Sequence, residues 1–235
     1  MTIEQQSAEL ADANHILFDQ GVLDAFGHVS VRVEDDPGRF LLSRNLAPTL
    51  VTAADVQVIG LDGEPEDGRR PYLERFIHAS IYRARPDVTA LVHSHSLGVI
   101  PFGVSNVPLA PLFHMAGFLA EGVGRFEIRD QFGDGTDLLV RSEEIGDALA
   151  ASLGSGSVVL MRGHGSVVVG PSLRLAVYRA IYTEVNARLQ ADVIRLGEWT
   201  PLTTKEGLAA ADTIAGQVDR AWGMWLRRAE QGSLE

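Results

Sequence analysis

The chain has 235 residues, of which 46% are hydrophobic and 22% charged, enough apolar material to bury a core and too much for a disordered chain. Thirty-one acidic against twenty basic residues leave a formal charge of −11, which disfavours nucleic acid and acidic membrane surfaces as partners. There is no cysteine, so disulfides and thiolate metal sites are excluded and imidazole and carboxylate are the strong metal ligands that remain.

In chain order, Thr2 with Gln5 three residues on has the form of a capping box. A helix is expected from there through Leu10, Ala13, Ile16 and Leu17 to a stop at Gly21. Val29, Val31 and Val33 alternate with polar residues, Phe40 to Leu42 form a short apolar run, and Val56 to Leu61 form another that ends in an Asp62-Gly63 turn. These read as neighbouring antiparallel strands. A helix is predicted from about Leu73 to just before Pro86, a buried strand from Val88 to His93, and a helix from Leu112 to Glu121 ending at Gly122. Further strands are expected at Leu138 to Val140, Val158 to Met161 and Val167 to Val169. The end reads as two helices, Ser172 to Leu196 closed by Gly197 and Thr204 to about Arg228.

Strands and helices alternate without a regular βαβ beat, and no internal repeat is present, so an α/β fold with a mixed, largely antiparallel sheet covered by helices is expected. The expectation is one domain over residues 1–235, with the helix at 204–229 packing on it or on a neighbouring subunit. No run reaches the roughly 18 apolar residues of a membrane span, and residues 1–15 lack a basic-then-apolar leader, which reads as a cytoplasmic protein. The single lysine, Lys205, sits in a polar segment and is a poor Schiff-base candidate. Neither Gly154-Ser155-Gly156 nor Gly163-His164-Gly165 completes a dinucleotide-binding GxGxxG.

The chemistry concentrates in the histidines. LVHSHS puts His93 and His95 two apart at the end of an apolar run, so in an extended strand both imidazoles project from one face. His164 follows another apolar run, and its flanking glycines allow a tight turn and close approach. Three imidazoles around one ion leave a position open for substrate or water, the layout of a catalytic site. Glu74 is the candidate fourth group, its plainer role being a first-turn glutamate that suits the helix dipole. His78, four residues on, either orients Glu74 or is a buried helix histidine.

GHVSVR at 27–32, the Glu74-x-x-x-His78-x-x-Ile81-Tyr82 pattern, RPDVTALVHSHS at 85–96 and GHGSVVVG at 163–170 together resemble the class II aldolase and adducin family over residues 5–200. The resemblance implies a three-layer α/β/α sandwich, a divalent metal ion on His93, His95 and His164, and a glutamate, Glu74, that acts as ligand and proton-transfer group. It also implies a homotetramer with active sites between subunits. Zn²⁺ is the favoured ion, with Mn²⁺, Fe²⁺ and Co²⁺ as alternatives that imidazole also suits. Adducin itself lacks these ligands, so their presence argues for an enzyme over a scaffold.

The departures point to the substrate. Sugar-phosphate aldolases of this family carry a small Thr/Ser-Gly turn where this chain reads LLSRNLAP, and a Ser-Ser pair where it has Tyr72-Leu73. Phosphate cradles need hydroxyls and close backbone approach, so a phosphorylated sugar is not expected. The family's tyrosine acid aligns with His114, a second candidate catalytic group. His28 stands in place of an asparagine that binds substrate, its plainer role being a hydrogen-bonded turn residue. Ser30, Arg32, Arg44, Asn45 and Tyr72 complete the candidate substrate contacts, the arginines because guanidinium pairs with carboxylate; for Arg32 a surface strand position is the alternative. GHVSVR and the Trp222-containing C-terminal helix are similar to members that decarboxylate hydroxylated aromatic acids, with packing on the body as the plainer role of Trp222 and Trp225. The expected activity is therefore metal-dependent decarboxylation of an ortho-hydroxy aromatic acid, with a retro-aldolase acting on a non-phosphorylated hydroxy-keto acid as the alternative.

Overall fold

A computed structural model describes residues 1–232. Its centre is a seven-stranded sheet in the order β3-β2-β1-β4-β7-β6-β5. The strands are β1 (His28–Val33), β2 (Asp36–Ser43), β3 (Val56–Gly60), β4 (Ala90–Ser94), β5 (Val123–Phe126), β6 (Val158–Met161) and β7 (Gly165–Gly170). Every neighbouring pair is antiparallel except β5 with β6, which is parallel. Among the helices, α1 (Ile3–Asp19), α2 (Arg75–Ala84), α5 (Glu143–Leu153), α6 (Leu173–Leu196), α7 (Thr204–Ala215) and α8 (Val218–Gly232) are the longer ones; α3 (Ile100–Val104) and α4 (Arg129–Phe132) are short.

The period-two alternation of strand side chains divides the core in two. One cluster holds Val29, Val31, Leu41, Val92, Leu160 and Val168 with residues of α1, α6 and α8. The other holds Phe40, Leu42, Leu91, Val159, Met161 and Val167 with α2 and α5. Helices thus cover both faces, and the α/β/α sandwich on a mixed sheet is the observed architecture. No helix among the described residues is long and apolar enough to cross a membrane.

The Thr2 and Gln5 capping box forms as expected. Four expectations need correction. Residues 138–140 are not a strand: Leu138 has a φ of +70° and the segment is an irregular loop. The strand β5 and the helix α5 were not anticipated. His114–Glu121 is a 3₁₀ helix with a kink at Ala116. The C-terminal helix is two helices, broken at Gly216-Gln217. Trp222 and Trp225 are buried, Trp225 about 6 Å from the rings of Tyr178 and Tyr182 of α6, so they pack on the body.

Candidate metal centre

His93 is on β4 two residues after Leu91, which belongs to the core under α2, so its ring faces the same side. β1 lies antiparallel to β4 with His28 opposite His93, and on the other flank β7 places Ser166 opposite Ser94. The turn between β6 and β7 carries His164. Gly163 has a φ of +67°, and a side chain at Gly165 would meet the Ser94 carbonyl oxygen at 2.0 Å, so both flanking glycines are required by the approach of this turn to β4. Glu74 occupies the N-cap position of α2, its side chain making no capping hydrogen bond to the helix.

These four residues bring their ligand atoms to within 4.8 Å of one another. The Nε2 atoms of His164 and His95 are 3.1 Å apart, and Glu74 Oε2 is 3.5 Å from His164 Nε2 and 3.6 Å from His93 Nε2. Two ligand nitrogens on a tetrahedral ion with bonds of about 2.05 Å are separated by about 3.3 Å, close to the spacing seen. His93 Nδ1 donates to the Ser166 carbonyl at 3.2 Å and His164 Nδ1 to the Leu138 carbonyl at 3.0 Å. A carbonyl only accepts, so in each neutral ring the proton is on Nδ1 and the lone pair on Nε2 points at the cluster. The Nε2 of His93 is buried without a hydrogen-bond partner, a costly state for a lone pair unless an ion uses it. The residues therefore fit a divalent ion with a preference for nitrogen and oxygen.

The electrostatics agree with neutral imidazoles around a carboxylate. Burial alone raises the Glu74 carboxyl, but the close approach of His164 and His93 outweighs it and holds the group far below the usual carboxylate range. Burial, aided by His93 and His164, pushes His95 down to about 4, and burial pushes His78 down to about 3. Glu74 Oε1 accepts from the Val140 N–H at 2.9 Å, which leaves Oε2 for the cluster. Behind His95, the buried Glu184 accepts from Ser96 Oγ and, at 2.9 Å, from the Gly98 N–H; it ties the loop that follows the ligand to α6.

A cavity of about 450 Å³ opens beside the cluster, with Glu74 and His95 in its wall together with His28, Asn45, Leu46 and Tyr72. This volume is in the range of small-molecule sites. The Tyr72 hydroxyl donates to the Leu46 carbonyl and lies 3.0 Å from Ser43 Oγ, so it is the ring that is left for a ligand. The backbone N–H of Asn45 donates to the Arg70 carbonyl at 3.1 Å and is not free to bind an anion.

Other expected contacts are not brought to this cavity by the single chain. Arg32 is neither a surface residue nor in the cavity wall: it is buried and donates to the Val88, Pro37, Tyr82 and Arg85 carbonyls, clamping β1 to the end of α2. Arg44 is paired with Asp55 at 2.8 Å. His114 is exposed at the start of the 3₁₀ helix. Ser30 is fully buried, hydrogen-bonded to His78 Nδ1 at 2.6 Å and to the Tyr82 hydroxyl at 2.7 Å. His78, whose helix spacing left two roles open, contacts His28 at 2.6 Å and makes no hydrogen bond to Glu74. Sequence reasoning missed the backbone partners at Leu138, Val140 and Ser166; no residue type marks them, because any side chain supplies the same amide.

Residues 8–191 match the family of the Class II Aldolase and Adducin N-terminal domain. The chain is 37% identical to a decarboxylase, TropJ, of Talaromyces stipitatus, over 94% of this chain and 92% of that one. It is 31% identical to a 3,4-dihydroxyphthalate decarboxylase of Terrabacter sp., over 86% of each. Among solved structures, an L-fuculose 1-phosphate aldolase from Glaciozyma antarctica shares the fold, with a TM-score of 0.78, 23% identity, and coverage of 98% of this chain and 92% of that one. The chain belongs to the class II aldolase and adducin family.

Proposed function

We propose that this protein is a carbon-carbon lyase, dependent on a divalent metal ion, that decarboxylates an ortho-hydroxy aromatic acid of the dihydroxyphthalate type. The observation that carries this reading is the wall of the cavity next to the cluster. Tyr72 offers a ring face, Leu46 and Leu73 offer apolar surface, and the backbone N–H of Asn45 is already spent on Arg70. Such a wall suits a flat ring, and it offers no free backbone donor at Asn45 of the kind a phosphate cradle needs. The two relatives whose names describe decarboxylases cover most of this chain.

Held by His93, His95 and His164 with Glu74, an ion such as Zn²⁺ supplies a Lewis acid for the electrons that a breaking carbon-carbon bond leaves behind. The residues do the rest. Tyr72 and Leu46 orient the ring and exclude water. In the net reaction the carboxylate leaves as CO₂ and the ring carbon that bore it takes up one proton. Glu74 is placed to move protons, with one oxygen fixed by Val140 and the other facing the cluster; a positioned group of this kind contributes ~10²–10⁴-fold to rate. His114, exposed on its own chain, serves a neighbouring copy in a homotetramer with sites between subunits.

The test is to incubate metal-loaded protein with hydroxyaromatic carboxylic acids, non-phosphorylated hydroxy-keto acids and sugar phosphates, measuring CO₂ and aldehyde. CO₂ from an ortho-hydroxy aromatic acid is the expected result. Aldehyde from a sugar phosphate or a hydroxy-keto acid, without CO₂ from any aromatic acid, would replace the reading with a retro-aldolase.

A further inference from the structure

Behind the cavity wall the structure holds a line of buried polar groups that the reaction outlined above does not use. His28 Nδ1 is 2.6 Å from His78 Nε2, and His78 Nδ1 is 2.6 Å from Ser30 Oγ. Ser30 Oγ is 2.7 Å from the Tyr82 hydroxyl, which donates to the Thr89 carbonyl at 3.4 Å. His78, Ser30 and Tyr82 are at most 1% exposed and His28 is 3% exposed. The line begins in the cavity, where His28 forms part of the wall, and ends at a backbone oxygen.

Each neutral member has one proton to give along the line, and the last acceptor has none. Once the Tyr82 proton goes to Thr89, the Tyr82 oxygen accepts from Ser30, Ser30 accepts from His78 Nδ1–H, and His78 Nε2 accepts from His28 Nδ1–H. The direction of every bond is then set by the far end. With its Nδ1 turned to His78, His28 has Nε2 left for the cavity, and that nitrogen carries a lone pair. Burial supports the neutral state throughout: it pushes both imidazoles down and raises the Tyr82 phenol.

We propose that Tyr82, Ser30 and His78 are positioning residues that hold His28 as a hydrogen-bond acceptor in the cavity, so that the site selects ligands presenting a hydroxyl at that point. A ligand oxygen without a proton, such as a methyl ether, finds no donor there and leaves the lone pair desolvated. The hydrogen-bond direction stands on this geometry alone; the identity of the hydroxyl as a phenol rests on the aromatic reading above.

The experiment has two arms on the zinc-loaded full chain. In the first, ¹⁵N NMR of histidine-labelled protein reads which ring nitrogen carries the proton, with His28→Gln and His78→Gln assigning the signals. Wild type should show the Nδ1–H form for both residues. Tyr82→Phe keeps the shape of the side chain but removes the acceptor for the Ser30 hydroxyl, which can then donate only to His78 Nδ1. Both rings should change to the Nε2–H form, with an unaltered circular dichroism spectrum. An Nε2–H His28 in wild type, or a Tyr82→Phe variant with unchanged tautomers, would overturn the proposal.

The second arm compares binding of 3,4-dihydroxybenzoate with its two monomethyl ethers by calorimetry. Wild type should prefer the dihydroxy compound over one of the ethers by about tenfold, the scale of one hydrogen bond, and Tyr82→Phe should abolish that preference. A preference that survives in Tyr82→Phe counts against the acceptor role of His28. If none of the three compounds binds while the tautomers are as stated, the aromatic reading fails and the relay stands.

Discussion

Val92 and His93 are neighbours on β4 and face opposite sides of the sheet. Val92 points into the core shared with α1, α6 and α8, where the inward residues of β1 are all valine. His93 points to the side covered by α2, where β1 presents His28, Ser30 and Arg32. One face is dry and aliphatic, and its contribution is the burial of apolar area. The other buries imidazoles, a carboxylate and a guanidinium, and tolerates them because nearly every polar atom has a partner. The face that holds the site is therefore the one where removing a single partner leaves a buried group unpaired.

Substitutions on either side of β4 break this comparison most directly. His93→Ala, which takes away one of the proposed metal ligands, should lower turnover by about 10²–10³-fold, the scale of losing a principal electrostatic stabiliser, and should release bound metal. Turnover within tenfold of wild type would remove His93 from the centre. Val92→Ala should instead cost about 2–3 kcal/mol of stability, from lost transfer energy and a residual cavity, while metal content at 20 °C stays that of wild type. Urea denaturation with parallel metal analysis separates the two outcomes.

Glu74→Gln sharpens the account within the polar face. Size is kept and the basic carboxylate is lost, so turnover should drop by about 10²-fold with most of the metal retained. Near-normal kcat would leave Glu74 only the structural role of holding the Val140 N–H. The smallest effect is a slope. His78 is held at about 3 in the folded chain against about 6.5 unfolded, so between these values the unfolded state binds the proton first. Its contribution to stability is complete above pH 6.5 and is lost as the pH falls toward 3. Metal-free protein should show this acid slope, and His78→Gln should flatten it; an equal slope in both would place the acid sensitivity elsewhere.

Much of this was legible in the residues. The capping box at Thr2, the long helix α6, and the strands around HSH and GHG carry period, caps and glycine punctuation that leave little choice. The Glu74, His93, His95 and His164 cluster was legible because chemistry restricts metal-ligating side chains to a few residue types. The polar face of β1 was not. HVSVRV alternates as a half-solvated strand does, yet all six residues are buried, because α2 covers the side that the pattern assigns to water. Arg32 was misplaced for the same reason. The helix α5 did carry a signal, Ser142 as cap followed by two glutamates, whereas β5, with glycine and arginine between Val123 and Phe126, did not. Leu138 to Val140 looks like a strand by composition and is held as a loop by the bond the Val140 N–H gives to Glu74 and the one the Leu138 carbonyl accepts from His164.

The most direct test of the central claim is the metal content and decarboxylase activity of the purified protein before and after chelation. The account predicts about one divalent ion per chain, loss of activity toward ortho-hydroxy aromatic acids when it is removed, and recovery when Zn²⁺ or another suitable ion is restored. Full decarboxylation by protein stripped of metal, or a wild-type chain that takes up no divalent ion, would contradict it.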